Sequence, residues 1–326
     1  MWIALDIMGG DHAPAEVLAG AAAALESNES LRLLLIGEKP VLEKSRADFS
    51  FPEGRVEFLT SGESILMSDN PLIKKPESSI NLGLEQVKSG KASAFVSAGN
   101  TGALMSQSLL TLGRVAGVKR PAIATTIPKK NGFFLLLDAG ANSECKPENL
   151  LQFARMGSIF LREVHGVASP KVGILNIGTE EKKGPREIQE CFQLMRSAPE
   201  INFTGNIEGN ALFFSDIDVV VADGFLGNVT LKLMEGFATF LLGLFDHALE
   251  EQAVCTKEQK NKVLYALSKK LDYSEYGGAP LLGVEGISIK AHGGSRKKAI
   301  ANALKYAYLF SSSGTMNKIK ESFKNE

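Results

Sequence analysis

The segment AFVSAGNTGALMSQSLLTL, residues 94–112, contains the structural unit that decides the fold. Residues 94–97 form a short run typical of a strand, and a polar turn with two glycines, residues 97–102, follows it. Residues 103–112 then have the composition of a helix. Strand, polar turn and helix in this order form the repeating unit of α/β folds.

The same order recurs along the chain. Further β-branched or leucine-rich runs separate longer helix-compatible stretches, at residues 2–7, 31–36, 56–59, 123–127, 133–137, 172–177 and 219–222. Several runs are apolar at every position, as in strands buried on both faces. We therefore predict an α/β fold with a largely parallel sheet covered on both sides. A length of 326 residues allows two domains, but we predict a single unit covering residues 1–326 around one large core.

The composition excludes several classes of protein. The chain has 36 Lys+Arg against 37 Asp+Glu and is 44% hydrophobic, unlike a disordered chain or a dedicated nucleic-acid binder. Cys145, Cys191 and Cys255 are far apart, so we predict neither a disulfide framework nor a zinc site. The N-terminus lacks the features of a signal peptide, and the longest uncharged apolar run, residues 237–245, is too short to span a membrane. We expect a cytoplasmic protein.

Residues 229–271 differ from the rest of the chain. Apolar residues recur at near-helical spacing up to residue 252, a short break covers residues 253–256, and a basic helix-like stretch extends to Leu271. This pattern predicts a helical hairpin inserted within the single unit. Two interpretations remain open: a buried helix pair or dimer bundle, or a hairpin that contacts a membrane surface or an acyl chain.

Small or acidic residues follow many of the predicted strands, and ligands of open α/β sheets bind beyond the carboxyl ends of strands. The turn at residues 97–102 suits a phosphate, because its glycines allow close approach and a helix N-terminus follows. An ordinary helix cap is the alternative interpretation. The candidate residues in this turn are Ser97, Gly99, Asn100, Thr101 and Gly102.

Other clusters offer charge or hydrogen-bonding groups, and each has a structural alternative as a solvated loop, turn or cap. They lie at residues 6–12, 74–79, 138–142, 178–186, 223–228 and 291–295. The motifs of serine hydrolases, zinc proteases and kinases are absent from the sequence, which excludes those classes.

Taken in order, these segments resemble the bacterial phosphate acyltransferase, or acyl-ACP:phosphate transacylase, family of phospholipid synthesis. The resemblance covers nearly the whole chain and includes residues 6–11, 75–79, 97–103, 138–142, 178–184, 205–208, 223–232, 276–283 and 292–295. Three places depart from the family pattern: Ile7 replaces a common alanine, Asn210-Ala211 stands where an Arg-Asp pair is frequent, and Gly294 replaces a frequent serine. No role of that Arg-Asp pair is carried over to this chain.

The resemblance implies a three-layer α/β/α fold like that of phosphotransacetylases and isopropylmalate dehydrogenases, working as a homodimer without metal or cofactor. Inorganic phosphate would attack the thioester of a long-chain acyl-ACP, giving an acyl phosphate that a membrane glycerol-3-phosphate acyltransferase consumes. The hairpin would place the enzyme peripherally at the membrane. The acidic carrier protein would dock on cations, of which Lys257, Lys260, Lys262, Lys269 and Lys270 are candidates. No nucleic-acid partner is expected.

The resemblance and the residue chemistry together assign site roles. The expected catalytic residues are Asn228, His292 and Lys183. The expected phosphate- or substrate-binding residues are Lys75, Ser79, Ser97, Gly99, Asn100, Thr101, Gly102, Asp138, Asn142 and Asp223. Competing interpretations are a short-chain phosphotransacetylase using acyl-CoA, a nicotinamide-dependent decarboxylating dehydrogenase of similar fold, and a non-catalytic membrane-associated scaffold that keeps an anion site.

Overall fold

The computed structural model describes residues 1–73, 75–251, 256–271 and 277–324. Strands β1 to β12 span, in chain order, Trp2–Asp6, Arg32–Glu38, Val56–Ser61, Ala94–Ser97, Ala122–Ile123, Thr125–Pro128, Phe133–Leu137, Lys171–Asn176, Asn202–Glu208, Val219–Val221, Ala279–Leu282 and Ser288–Lys290. Helices α1 to α10 span Ala15–Ser27, Lys39–Asp48, Ser79–Lys88, Thr101–Thr111, Pro147–His165, Arg186–Arg196, Gly224–Glu251, Lys257–Leu271, Lys297–Ser312 and Thr315–Phe323.

The strands form two sheets. The first has the order β3-β2-β1-β4-β12-β11-β5 and the second the order β6-β7-β10-β8-β9. Strand β11 is antiparallel to both of its neighbours and β6 is antiparallel to β7, whereas the remaining pairs are parallel. The predicted α/β fold with mostly parallel strands is confirmed. The strands are divided between two sheets, whereas the sequence predicted one sheet.

The chain passes from one sheet to the other at Ala124. The sequence predicts a single strand over residues 123–127, but Ile123 pairs with Leu281 in the first sheet and Thr125 pairs with Leu136 in the second. Ala124 donates its N–H to Pro280 O at 3.0 Å. The run Ile-Ala-Thr-Thr-Ile carries no local signal for such a switch, because β-branched and small residues suit a buried strand in both halves.

Strands β9, β11 and β12 were not predicted. β9 contains a glycine at φ +105° and an irregular register beside Gly173, and β11 and β12 are short. Strand β12 matters most, because it lies between β4 and β11 in the first sheet. Its Lys290 pairs in register with Ser97, so the segment after β12 emerges beside the polar turn after β4.

One buried apolar cluster joins the two sheets. It includes Leu5 and Val96 of the first sheet, Leu137 and Val219 of the second, and Phe153 of helix α5. Burial of each such side chain contributes on the order of 1.5–3 kcal/mol, so the interface between the sheets is a substantial part of the core. The carboxyl ends of the central strands of both sheets are therefore held close to one another.

Helices α7 and α8 form the hairpin, which projects from the rest of the fold. Helix α7 begins at Gly224 rather than at the predicted Val229, and only Gly224, Gly227 and Leu231 are buried along it. Helix α8 has no buried residue in its described span. The predicted break between the helices falls mainly on residues 252–255, which lie outside the described residues.

The hairpin also bears on the expectation about membranes. Helix α7 contains an 18-residue window with a mean hydropathy of 1.2, of which 11% is buried, so by length and composition alone it is apolar enough to cross a membrane. The expectation from sequence required an uninterrupted run of uncharged apolar residues. Lys232, Glu235 and Asp246 interrupt such a run in α7. The first turns of the helix are nevertheless packed into the fold at Gly227.

Candidate active site

A cleft of about 310 Å³ lies between the carboxyl ends of strands from the two sheets. The first sheet contributes the segments after β1, β4 and β12, and the second contributes β6, the turn after β7 and the start of α7. The cleft is lined by Asp11, Met67, Thr101, Ile123, Thr125, Thr126, Ala139, Asn228, Leu231, Lys232, Glu235, Gly277, Gly278, Ala279, Lys290, Ala291, His292, Gly293, Ser295 and Ala299. Three of the predicted site residues, Thr101, Asn228 and His292, line it together.

The turn after β4 is supported from beneath by Asp6. The buried Ser97 hydroxyl donates to Asp6 Oδ2 at 2.7 Å and accepts from Gly99 N–H at 3.0 Å. Burial raises the pKa of Asp6, and hydrogen bonds from Ser97 and Ser79 partly oppose that shift. Ser79, Ser97 and Gly99 thus shape the turn, and their hydrogen bonds place them beneath the cleft.

Asn100 links this turn to the segment that precedes α3. Its Oδ1 accepts the Ala103 N–H at 3.0 Å and so caps α4, while its Nδ2 donates to the carbonyl oxygens of Leu66, Met67 and Asp69 at 3.3, 3.0 and 3.0 Å. In the structure Asn100 is therefore a helix cap. Thr101, the next residue, is exposed and faces the cleft.

Gly102 and Lys75 also help to hold residues 63–71 in place beside the start of α4. A side chain at Gly102 would meet Pro71 Cγ at 2.7 Å, so this glycine allows residues 66–71 to pack against the start of α4. The Lys75 ammonium donates to Glu63 Oε1, Ser64 O and Asp69 Oδ2 at 3.0, 2.8 and 3.1 Å. Those three acceptors occupy its three protons, and Lys75 does not line the cleft.

Asp138 organises the corresponding turn of the second sheet. Its carboxylate accepts from the N–H groups of Ile123, Gly140, Ala141 and Asn142, and from the Asn142 side-chain amide at 2.8 Å. Burial raises the pKa of Asp138. Asp138 and Asn142 thus hold the turn together rather than lining the cleft.

Helix α7 packs directly on this turn, which positions Asn228. A side chain at Gly227 would lie 1.8 Å from Asp138 O, so only glycine allows the contact. Asp223 Oδ1 accepts the Leu226 N–H at 2.7 Å and fixes the start of the helix. Asn228 follows as an exposed residue whose side chain lies against Gly140 and lines the cleft.

Lys183 lies elsewhere on the same edge of the second sheet. It is in the segment between β8 and α6, its ammonium is 3.9 Å from Glu180 Oε1, and its side chain is half exposed. It does not line the cleft. Its catalytic role stays a prediction.

His292 is an exposed residue whose imidazole lines the cleft. Its Nδ1 accepts the Gly294 N–H at 3.1 Å, so the neutral ring carries its proton on Nε2. Desolvation lowers the pKa of His292, with smaller effects from Glu235 and from the cations Lys232 and Lys290. The ring is therefore a neutral hydrogen-bond donor at neutral pH.

Sequence reasoning missed Lys290, the last residue of β12. Its ammonium donates to Ala98 O at 3.1 Å and also to Ala291 O, and burial lowers its pKa to about 8. A signal was present: Ile287, Ile289 and Ala291 alternate with Ser288, Lys290 and His292, which is the two-residue period of a strand. The alternation covers too few residues to stand out from the sequence.

Solved structures with a similar fold are acyl-transferring enzymes. A phosphotransacetylase from Streptococcus pyogenes superposes with a TM-score of 0.64 and 14% identity, over 95% of this chain and 94% of that chain. A branched-chain phosphotransacylase from Enterococcus faecalis gives a TM-score of 0.60 at 14% identity, over 96% of this chain and 100% of the other. At this identity the likeness concerns the fold alone.

Sequence comparison is more specific. Residues 1–318 match the family model described as fatty acid synthesis protein. A phosphate acyltransferase of Heliobacterium modesticaldum is 47% identical over 94% of this chain and 93% of its own length. A phosphate acyltransferase of Halothermothrix orenii is 46% identical over 94% of both chains. With identity of this extent along almost the whole sequence, the chain belongs to the phosphate acyltransferase family of fatty acid synthesis proteins.

Proposed function

We propose that the enzyme transfers a long-chain acyl group from acyl carrier protein to inorganic phosphate, an early step of phospholipid synthesis. The observation that carries the proposal is the cleft, where Thr101 at the start of α4, Asn228 at the start of α7 and His292 after β12 meet. Hydrogen-bond donors from both sheets converge there, as a transition state with developing negative charge requires. Family membership supplies the reaction type.

The reaction needs no nucleophile from the protein. An oxygen of the phosphate dianion attacks the thioester carbonyl carbon, a tetrahedral oxyanion forms, and the carbon–sulfur bond then breaks. The sulfur leaves with the bonding electron pair, and the proton that the phosphate carried ends on the thiol. The task of the enzyme is therefore to hold phosphate in line with the thioester and to stabilise the oxyanion.

Asn228 and His292 fit the second task. The Asn228 side-chain amide is a neutral donor on the cleft wall, and the His292 ring is neutral with its proton on Nε2. Both carry an N–H that can donate to the developing oxyanion. Since the imidazole is neutral, we assign His292 to polarising the carbonyl rather than to protonating the departing sulfur.

The hairpin supports an acyl donor that is long and carried by a protein. Helix α7 leads from the cleft at Leu231 to an exposed apolar face formed by Leu233, Phe237, Phe240 and Leu244, spaced as one side of a helix. We propose that this face, the apolar stripe, contacts the membrane surface peripherally. There an acyl phosphate can pass directly to the membrane glycerol-3-phosphate acyltransferase.

Ion pairs within the hairpin reduce the number of lysines that are suitable for binding the acidic carrier protein. Lys260 pairs with Asp246 at 2.7 Å and Glu250 at 2.5 Å, which ties α8 to α7, and Lys262 pairs with Glu258 at 2.7 Å. Lys269 and Lys270, in the last turn of α8, are the more suitable docking cations. The homodimer implied by the resemblance remains part of the proposal.

The decisive experiment measures phosphate-dependent release of free thiol from palmitoyl-ACP, palmitoyl-CoA and acetyl-CoA at matched concentrations. Preference for palmitoyl-ACP is the expected result. Preference for acetyl-CoA would instead indicate the short-chain phosphotransacetylase. Absence of release from all three donors by a folded protein would favour the non-catalytic scaffold, and a change in nicotinamide absorbance with a hydroxy acid would reveal the dehydrogenase.

A further inference from the structure

Lys290 is a cation on the wall of the cleft to which the proposed mechanism assigns no role. Lys290 ends β12, a strand in the middle of the first sheet, and lies in register with Ser97 at the end of β4. Its ammonium donates to Ala98 O at 3.1 Å and to Ala291 O. The bond to Ala98 O holds the cation at the turn that leads into α4.

Lys290 differs from the lysines that were expected to bind phosphate. Lys75 is bonded to two carboxylates and Lys183 lies outside the cleft. Within the described parts of the chain, no carboxylate oxygen lies within 4.0 Å of the Lys290 ammonium. A largely buried cation with no ion-pair partner among the described residues is costly, so this position is suited to an anion that arrives as substrate.

The surroundings of the ammonium suit a phosphate. The exposed Thr101 hydroxyl and the N-terminal turn of α4 lie on the same cleft wall, and a helix N-terminus favours negative charge. Gly99 leaves the turn free of a side chain next to Ala98. Cation, hydroxyl and helix N-terminus together provide the donors that a phosphate dianion needs.

We propose that Lys290 binds the phosphate substrate, together with Thr101 and the first turn of α4. The inference rests on the proposed function, in which phosphate is the attacking group. It places the nucleophile on the wall formed by the first sheet, across the cleft from Asn228 of the second sheet. The thioester carbonyl would then lie between them.

The electrostatic environment agrees with this geometry. Burial lowers the pKa of Lys290 to about 8, while Asp6 and Asp11 favour the protonated form and Lys232 opposes it. A phosphate dianion beside the ammonium would restore its charged form. The affinity of the wild-type enzyme for phosphate should therefore fall as Lys290 loses its proton above about pH 8.

The direct test is calorimetric titration of inorganic phosphate into the full-length enzyme without an acyl donor. Lys290→Gln removes the charge, Lys290→Arg keeps it, and Lys305→Gln removes a charge from an exposed position on α9. We expect a loss of about 10- to 100-fold in phosphate affinity for Lys290→Gln, a smaller loss for Lys290→Arg, and no change for Lys305→Gln. Phosphate affinity within twofold of wild type in a folded Lys290→Gln would overturn the proposal.

Two further measurements keep the test decisive. If Lys290→Gln fails to fold, the affinity of the wild-type enzyme for phosphate is followed from about pH 7.5 to about pH 9.5 and expressed per phosphate dianion, since some monoanion is present at the lower end. A constant affinity for the dianion would overturn the proposal. In turnover, the substitution should raise the KM for phosphate and leave the KM for the acyl donor unchanged, whereas a merely structural role would lower kcat. Wild-type enzyme that binds phosphate but releases no thiol from any donor would refute the proposed function and leave this assignment standing.

Discussion

The Ser97 hydroxyl donates a hydrogen bond of 2.7 Å to the buried Asp6 carboxylate, which joins the ends of β4 and β1 beneath the cleft. The same hydroxyl accepts the Gly99 N–H. One side chain thus satisfies a buried carboxylate and sets the path of the turn that leads to Thr101.

We expect Ser97→Ala to destabilise the protein by about 1–3 kcal/mol, because Asp6 keeps its burial and loses a donor. Chemical denaturation followed by circular dichroism measures the change. Ser89→Ala, at an exposed position, serves as the control. A free energy of unfolding equal to that of wild type would contradict the support role of Ser97.

Asn100 combines two functions that substitutions can separate. Asn100→Asp keeps an oxygen to cap α4 but loses the amide protons bonded to residues 66, 67 and 69, whereas Asn100→Ala loses both. We expect both variants to speed amide exchange in residues 66–71, and only Asn100→Ala to lose the additional ~1 kcal/mol of a helix cap. Hydrogen exchange by mass spectrometry checks the first point and denaturation the second. Unchanged exchange in both variants would contradict the assigned contacts.

Asn228 is expected to act on the transition state. Asn228→Ala should lower kcat by about 100- to 1,000-fold while the melting temperature stays near that of wild type, because the side chain is exposed in the cleft. Thr230→Ala, which removes only a hydroxyl bonded to Leu226 O within α7, is the matched control. Steady-state kinetics with palmitoyl-ACP gives both values. A kcat within threefold of wild type would remove Asn228 from the proposed mechanism.

His292 gives a prediction about pH. Desolvation, together with Lys232 and Lys290, lowers its pKa below 6.5 against the opposing effect of Glu235 and Asp11. The neutral ring is therefore present at neutral pH, and below about pH 6.5 protonation makes Nδ1 a donor that no longer accepts the Gly294 N–H, which displaces the ring. We expect kcat to be constant from about pH 7.5 down to about pH 6.5 and to decline below that. The acid limb should disappear in His292→Asn, which carries an amide donor; an acid limb that is the same in His292→Asn and wild type would exclude this assignment.

The apolar stripe of α7 gives a prediction about location. Phe240→Glu combined with Leu244→Glu places two carboxylates on a face whose side chains are 62% and 52% exposed. We expect this variant to keep its fold and its activity on soluble acyl donor but to lose flotation with anionic liposomes. Sedimentation of both proteins tests whether the proposed homodimer forms and whether the substitutions change it. Equal flotation of the variant and the wild type would refute membrane contact through the stripe, and loss of the dimer alone would identify the stripe as a subunit interface.

Much of the fold was predictable from local patterns. The apolar runs at residues 2–7, 94–97 and 133–137 are buried on both sides, and such runs carry their own signal for a covered, mostly parallel sheet. The hairpin was predictable for the same reason, since helical periodicity is a local property. The start of α7 was missed because Gly224 and Gly227, poor helix formers, are retained for contact with the Asp138 turn.

By itself, the sequence determined that this protein has an α/β fold with polar turns at the ends of its strands, because strand burial and turn chemistry depend on residues that are neighbours in the chain. Only the tertiary structure decided which of those turns meet. Pairing of β12 with β4 brings Lys290 beside Ala98, and contact of Gly227 with Asp138 brings Asn228 to the opposite wall. Lys75, by contrast, is bonded away from the cleft by partners close to it in sequence. Such contacts depend on the relative position of whole sheets, which no local pattern specifies.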